Sequence, residues 1–118
     1  AGGAGNDFIR AEAGDDVVFG GLGDDFISGG LGDDRLFGDE GNDTISGDEG
    51  IDLIEGGAGH DHLAGGDGDD AVRGNDGDDI LLGGQGNDLL AGCRLNLTEI
   101  ATFLTAVTAM IRWTFRHP

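Results

Sequence analysis

The 118-residue chain has no lysine and no tyrosine, and only one proline, one tryptophan and one cysteine. Each shortage excludes a class of function. A Walker-type phosphate loop needs its lysine. A collagen-like chain needs dense, regular proline. One cysteine cannot build an internal disulfide framework or a cysteine-based zinc site. Positive charge is also scarce. All six basic residues are Arg, set against 24 Asp and Glu, and the net charge is −18. Such a chain repels phosphates, so no nucleic-acid partner is expected. There is no N-terminal signal peptide pattern. The absence of an initiating Met and the start in mid-pattern read as a piece of something larger.

Glycine, in contrast, is abundant, with 26 residues, where an ordinary chain has about 7%. The acidic charge is unevenly placed. Residues 92–118 carry Arg94, Arg112 and Arg116 against Glu99, so the −18 total leaves −20 on residues 1–91. The chain is two segments of different chemistry, 1–91 and 92–118, in a length that allows one domain at most.

Cutting the first segment every nine residues from Gly2 gives ten units in one phase, without insertion, through Ala91. Position four is Gly in all ten units, position six is Asp in all ten, and position eight is Ile, Val or Leu in all ten. Position one is Gly in nine, with Ala11 the exception. Glycines at positions one, two and four permit φ > 0 and close approach of another backbone. The last three residues of each unit predict a short strand with only its middle residue pointing inward. Nine residues then make one turn and one strand, and 18 close one coil of a parallel solenoid. Five coils at about 4.8 Å each give a length on the order of 20–25 Å.

The position-six carboxylates recur in stacked loops and repel one another unless a cation lies between them. The available donors are oxygens: carboxylates, and carbonyls exposed by Gly-rich turns. Hard oxygen donors in flexible loops suit Ca²⁺, which accepts about 6–8 ligands in loose geometry.

The nonapeptide GGxGxDxUx, held over 90 of the 118 residues, resembles the RTX (repeats-in-toxin) hemolysin-type calcium-binding family. The resemblance implies an all-β, right-handed parallel β-roll of about five 18-residue coils. It also implies one Ca²⁺ between unit n and unit n+2. The ion takes the carbonyls of positions two and four and the Asp of the first loop. From the second loop it takes the carbonyls of positions one and three and the Asp.

Carried onto this chain, the first site uses Gly3, Gly5 and Asp7 with Gly20, Leu22 and Asp25. The second uses Glu12, Gly14 and Asp16 with Gly29, Leu31 and Asp34. It is expected to be weaker, because Glu12 must adopt a conformation normally left to glycine. Next come Gly21, Gly23 and Asp25 with Gly38, Glu40 and Asp43, then Gly30, Gly32 and Asp34 with Gly47, Glu49 and Asp52. Asp39, Gly41 and Asp43 meet Gly56, Ala58 and Asp61. Asp48, Gly50 and Asp52 meet Gly65, Asp67 and Asp70. Gly57, Gly59 and Asp61 meet Gly74, Asp76 and Asp79. The last complete set is Gly66, Gly68 and Asp70 with Gly83, Gln85 and Asp88. An eleventh unit would begin at Gly92 but has Leu97 where Asp is needed. About eight ions are therefore implied, and they would leave the repeat segment at −4.

Other features carry less chemistry. His60 and His62 flank Asp61 but fall at the variable position five and at an outward strand position, so they read as decoration. Cys93 has no partner and no adjacent base, and reads as a boundary residue. Residues 18 apart should stack, placing Phe8 over Phe26 and Phe19 over Phe37 as small apolar patches suited to an upstream domain. In the tail, Asn96–Glu99 has the form of a capping box. Leu97, Ile100, Leu104, Val107 and Ile111 then define one face of an amphipathic helix over about 98–115. A helix there would cover the open last coil, since solenoids need caps. The apolar run is too short, and carries Glu99, for a transmembrane segment.

The resemblance implies a non-enzymatic, secreted or cell-surface bacterial module whose folding is driven by Ca²⁺ and whose parent is exported by type I secretion. Two rival readings are the non-catalytic C-terminal part of a secreted protease, lipase or toxin, and a structural or adhesive solenoid. The varied residues at positions seven and nine count against an ice-binding face.

Overall fold

The computed structural model describes residues 1–92. The tail helix and Cys93 lie outside the described residues. Eleven strands follow one another: β1 (Gly3–Ala4), β2 (Phe8–Arg10), β3 (Val17–Leu22), β4 (Phe26–Leu31), β5 (Arg35–Glu40), β6 (Thr44–Glu49), β7 (Leu53–Ala58), β8 (His62–Asp67), β9 (Ala71–Asp76), β10 (Ile80–Gln85) and β11 (Leu89–Ala91). They form two parallel sheets. One has the order β1-β3-β5-β7-β9-β11, the other β10-β8-β6-β4-β2. Every pairing joins residue i to residue i+18, as in Ile27↔Ile45 and Leu36↔Ile54. The expected parallel solenoid of about five turns is thus present, and no helix occurs among the described residues. None of them forms a helix long and apolar enough to cross a membrane.

The strands are longer than expected. From β3 to β10 each has six residues, covering positions seven to nine of one unit and one to three of the next. Two positions point inward rather than one. Position eight supplies the core: Val18, Ile27, Leu36, Ile45, Ile54, Leu63 and Val72 are buried. Position one is the second inward column, with Gly20, Gly29, Gly38, Gly47, Gly56, Gly65 and Gly74 buried. One buried aliphatic side chain per nine residues is a thin core.

The expected Phe ladders are present. The Phe8 and Phe26 rings stack with centroids 4.9 Å apart, and Phe19 and Phe37 with centroids 5.0 Å apart. They lie on opposite sheets.

Candidate metal centre

The turns between strands hold positions four to six, and their backbone is not that of ordinary L-residues. Position four has positive φ in all ten units, from Gly5 to Gly86. Position two has it as well, even where glycine is absent: Glu12 (75°), Asp39 (72°), Asp48 (69°) and Asn75 (71°). Glu12 therefore adopts the conformation anticipated for it. Asp48 is held in place by local bonds. It accepts from Ser28 Oγ at 2.5 Å, Ser46 Oγ at 2.7 Å and the Gly30 amide at 3.2 Å. Burial pushes its carboxyl up, but these three donors outweigh it and hold it below the usual range.

Position one behaves differently. Its glycines have no positive φ, which corrects the expectation that all three glycine positions serve left-handed backbone. They are needed for space. A Cβ on Gly20 would stand 2.5 Å from Asp25 Oδ2 and 2.8 Å from the Gly38 carbonyl oxygen. On Gly29 it would stand 2.6 Å from Asp34 Oδ2 and 2.8 Å from the Gly47 carbonyl oxygen. A carboxylate oxygen of one unit and a carbonyl oxygen two units on converge in the same way beside Gly2, Gly38, Gly47, Gly65 and Gly74.

The position-six carboxylates form a ladder along the roll. Oδ1 of each accepts the backbone N–H of the Asp one coil earlier. Asp43 Oδ1 accepts from Asp25, Asp52 Oδ1 from Asp34, and Asp61 Oδ1 from Asp43, each at 2.8 Å. Asp25, Asp34, Asp43, Asp52, Asp61 and Asp70 are at most 3% exposed. Oδ2 is a different matter. In Asp7, Asp16, Asp25, Asp34, Asp43, Asp52, Asp61, Asp70 and Asp79 it is buried and has no hydrogen-bond partner. A buried unpaired carboxylate oxygen is costly unless a proton or a cation neutralises it. Burial pushes the carboxyls of Asp43, Asp52 and Asp61 up to about 6, opposed by the backbone N–H each accepts and reinforced by neighbouring carboxylates. Asp34 and Asp70 are raised for the same reasons.

A groove of about 720 Å³ follows the even-numbered turns and is lined by Asp16, Asp34, Asp52 and Asp70. It gives these carboxylates a route to solvent. The converging donors are all oxygens, several are backbone carbonyls, and the charge to be balanced is negative. That donor set fits a hard divalent cation such as Ca²⁺.

Position five was read as variable, and the structure gives it a role. Its side chain accepts the backbone N–H of position five in the following coil. Asn6 accepts from Asp24, Asp24 from Asn42, and Asn42 from His60, each at 2.8 Å. His60 Nδ1 continues the column, accepting from Asp78 at 3.0 Å. This ladder points toward the C-terminal end, the position-six ladder toward the N-terminal end, and adjacent coils are tied in both senses. The clue was present in the sequence, because Asn, Asp or His fills position five in every unit except the one with Ile51. His62 is exposed on its strand while Asp61 is buried, so the His60–Asp61–His62 trio does not converge. No cluster of three or more His, Cys, Asp or Glu side chains able to hold a metal occurs among the described residues. Any ion here depends on backbone carbonyls.

The family model described as RTX calcium-binding nonapeptide repeat (4 copies) matches residues 1–27, 20–54 and 55–90. Searches of curated proteins and of solved structures find no match. With the repeat, the roll and the oxygen-lined turns in agreement, the chain belongs to the RTX calcium-binding nonapeptide repeat family, a structural rather than catalytic calcium-binding module typical of secreted bacterial proteins.

Proposed function

We propose that Ca²⁺ binding drives the folding of this chain, and that the roll is right-handed with eight ions held between units n and n+2. The observation that carries the reading is the column of buried, unpartnered Asp Oδ2 atoms. In the site between Asp25 and Asp43, Oδ2 of Asp25 faces the ion from one coil and Oδ1 of Asp43 from the next. The carbonyls of Gly21, Gly23, Gly38 and Glu40 complete the set. The other seven sites repeat this arrangement.

Without the ions, the −20 of the repeat segment and the thin core favour an unfolded chain. With them, coils form and bind together, each supported by its neighbours. Extracellular modules work at Ca²⁺ of about 10⁻⁴–10⁻³ M. A chain unfolded at low internal Ca²⁺ and folded outside suits export through a type I machine as part of a larger secreted protein. The tail, 92–118, serves as the cap of the last coil in this reading.

Far-UV circular dichroism with millimolar Ca²⁺ and with EDTA provides the test. Strand signal is expected with Ca²⁺ and a disordered spectrum without it, and Mg²⁺ should substitute poorly because it demands stricter octahedral geometry. Identical spectra in Ca²⁺ and EDTA would overturn metal-driven folding.

A further inference from the structure

We propose that the roll has a ninth cation site at its C-terminal end, built by Asn75, Gly77, Asp79 and Gly92. It rests on the calcium reading above and extends it to a place where the repeat pattern has already failed. In each of the eight paired sites, the earlier Asp presents a buried Oδ2 without a partner, from Asp7 to Asp70. Eight sites account for eight such atoms, yet Asp79 Oδ2 is a ninth in the same condition. Asp88 Oδ2, one unit further on, is not in that condition.

A carbonyl has been brought to meet Asp79. A Cβ on Gly74 would lie 2.7 Å from the Gly92 carbonyl oxygen. The same construction on Gly20 lies 2.8 Å from the Gly38 carbonyl oxygen, and on Gly65 it lies 2.7 Å from that of Gly83. Gly92 therefore stands where position one of an eleventh unit would stand. Asn75 and Gly77 keep the left-handed backbone of positions two and four, with φ of 71° and 106°. Asp48 and Gly50, at the same positions in a central site, have φ of 69° and 127°. The backbone that aims the two first-loop carbonyls is thus preserved at the end of the roll.

The second loop brings no carboxylate, because Leu97 occupies position six of the eleventh unit. The ion there is balanced by one carboxylate instead of two, and water completes its coordination. Affinity in oxygen sites follows ligand charge, so this site fills last and exchanges fastest.

Counting Ca²⁺ on the full chain by native mass spectrometry, with and without two substitutions, tests the proposal. Nine ions are expected. Asp79→Ala should lose two of them, since Asp79 serves the site shared with Asp61 and the terminal one. Asp88→Ala should lose one, and it controls for general damage at the same end. Eight ions on the unaltered chain would overturn the ninth site and leave the calcium reading intact. Nine ions with equal losses in both variants would place the extra ion elsewhere and overturn it too. No bound Ca²⁺ at all would overturn the underlying reading itself.

Discussion

The middle coils and the two ends are built from the same nonapeptide but have different physics. In the middle, Asp43, Asp52 and Asp61 are no more than 2% exposed, and Ile45 and Ile54 are fully enclosed. The outward residues there are Thr44, Ser46 and Glu55. At the ends the aliphatic column opens. Leu90, a position-eight residue, is 46% exposed, and Ile9 and Leu81 in the same column are only partly buried. A solenoid coil is covered only by the coil on each side of it. Burial and carboxyl desolvation therefore belong to position in the stack as much as to sequence.

The largest expected effect compares Asp43 with Asp7. Asp43 accepts the Asp25 amide through Oδ1 and presents Oδ2 to the next coil, and in the proposed arrangement it serves two ions. Asp7 takes part in one, at the end. Asp43→Ala should raise the Ca²⁺ midpoint for folding about tenfold or more, equivalent to at least about 1.4 kcal/mol, and flatten the transition. Asp7→Ala should shift the midpoint much less. Equal small shifts in Ca²⁺ titrations followed by circular dichroism would mean that ions do not bridge the coils.

Glycine substitution probes the same contrast through the backbone. Gly29→Ala puts a methyl 2.6 Å from Asp34 Oδ2 and 2.8 Å from the Gly47 carbonyl oxygen, so a side chain and a stretch of backbone must both shift. A cost of about 1–3 kcal/mol follows from overpacking of this kind. A Cβ on Gly92 meets nothing within 4 Å among the described residues, and Gly92→Ala should stay within about 0.5 kcal/mol. Denaturant melts at saturating Ca²⁺ would compare the two.

Acid should act on the metal-free middle of the roll. Asp43, Asp52 and Asp61 titrate at about 6 in the folded roll against an ordinary 3.8. The folded form therefore binds protons more tightly than the unfolded chain, and metal-free folding gains stability as pH falls through this window. The ionisation penalty is full above about pH 6. In EDTA, strand signal should grow between pH 6 and pH 4. In Ca²⁺, the folding midpoint should rise over the same window, because each ion must displace protons. A pH-independent spectrum in EDTA would count against burial of these carboxylates.

The smallest effect concerns the gap in the even-numbered position-five column. Ile51 donates its amide to Asp33 Oδ1 at 2.8 Å but offers no side-chain acceptor to the coil above, and it is 60% exposed. Ile51→Asn should supply the missing acceptor to the Asp69 amide. A gain of about 0.5–1.5 kcal/mol is expected, the net worth of one hydrogen bond. Loss of stability would show that the ladder does not extend through this coil.

Much of this was legible in the residues themselves. The nine-residue phase, the aliphatic at position eight and the Asp at position six set the 18-residue coil, parallel pairing and column of carboxylates. Ile27 could be placed inside from the residues alone, because period-two strand geometry is a local rule repeated ten times. His60 was misjudged because its role is a bond to an amide 18 residues away, which only stacking brings near.

Sequence by itself determined the repeat, the coil length, the core column and the column of carboxylates. Those follow from spacing, side-chain chemistry and backbone freedom within nine residues. Tertiary structure alone decided the rest. It made position one a matter of space rather than of φ, and it separated Oδ1, bonded to an amide, from Oδ2, left without a partner. It set the opposite senses of the two ladders and carried the Gly92 carbonyl to Asp79. Each of these depends on the distance between one coil and the next, a quantity no single repeat contains.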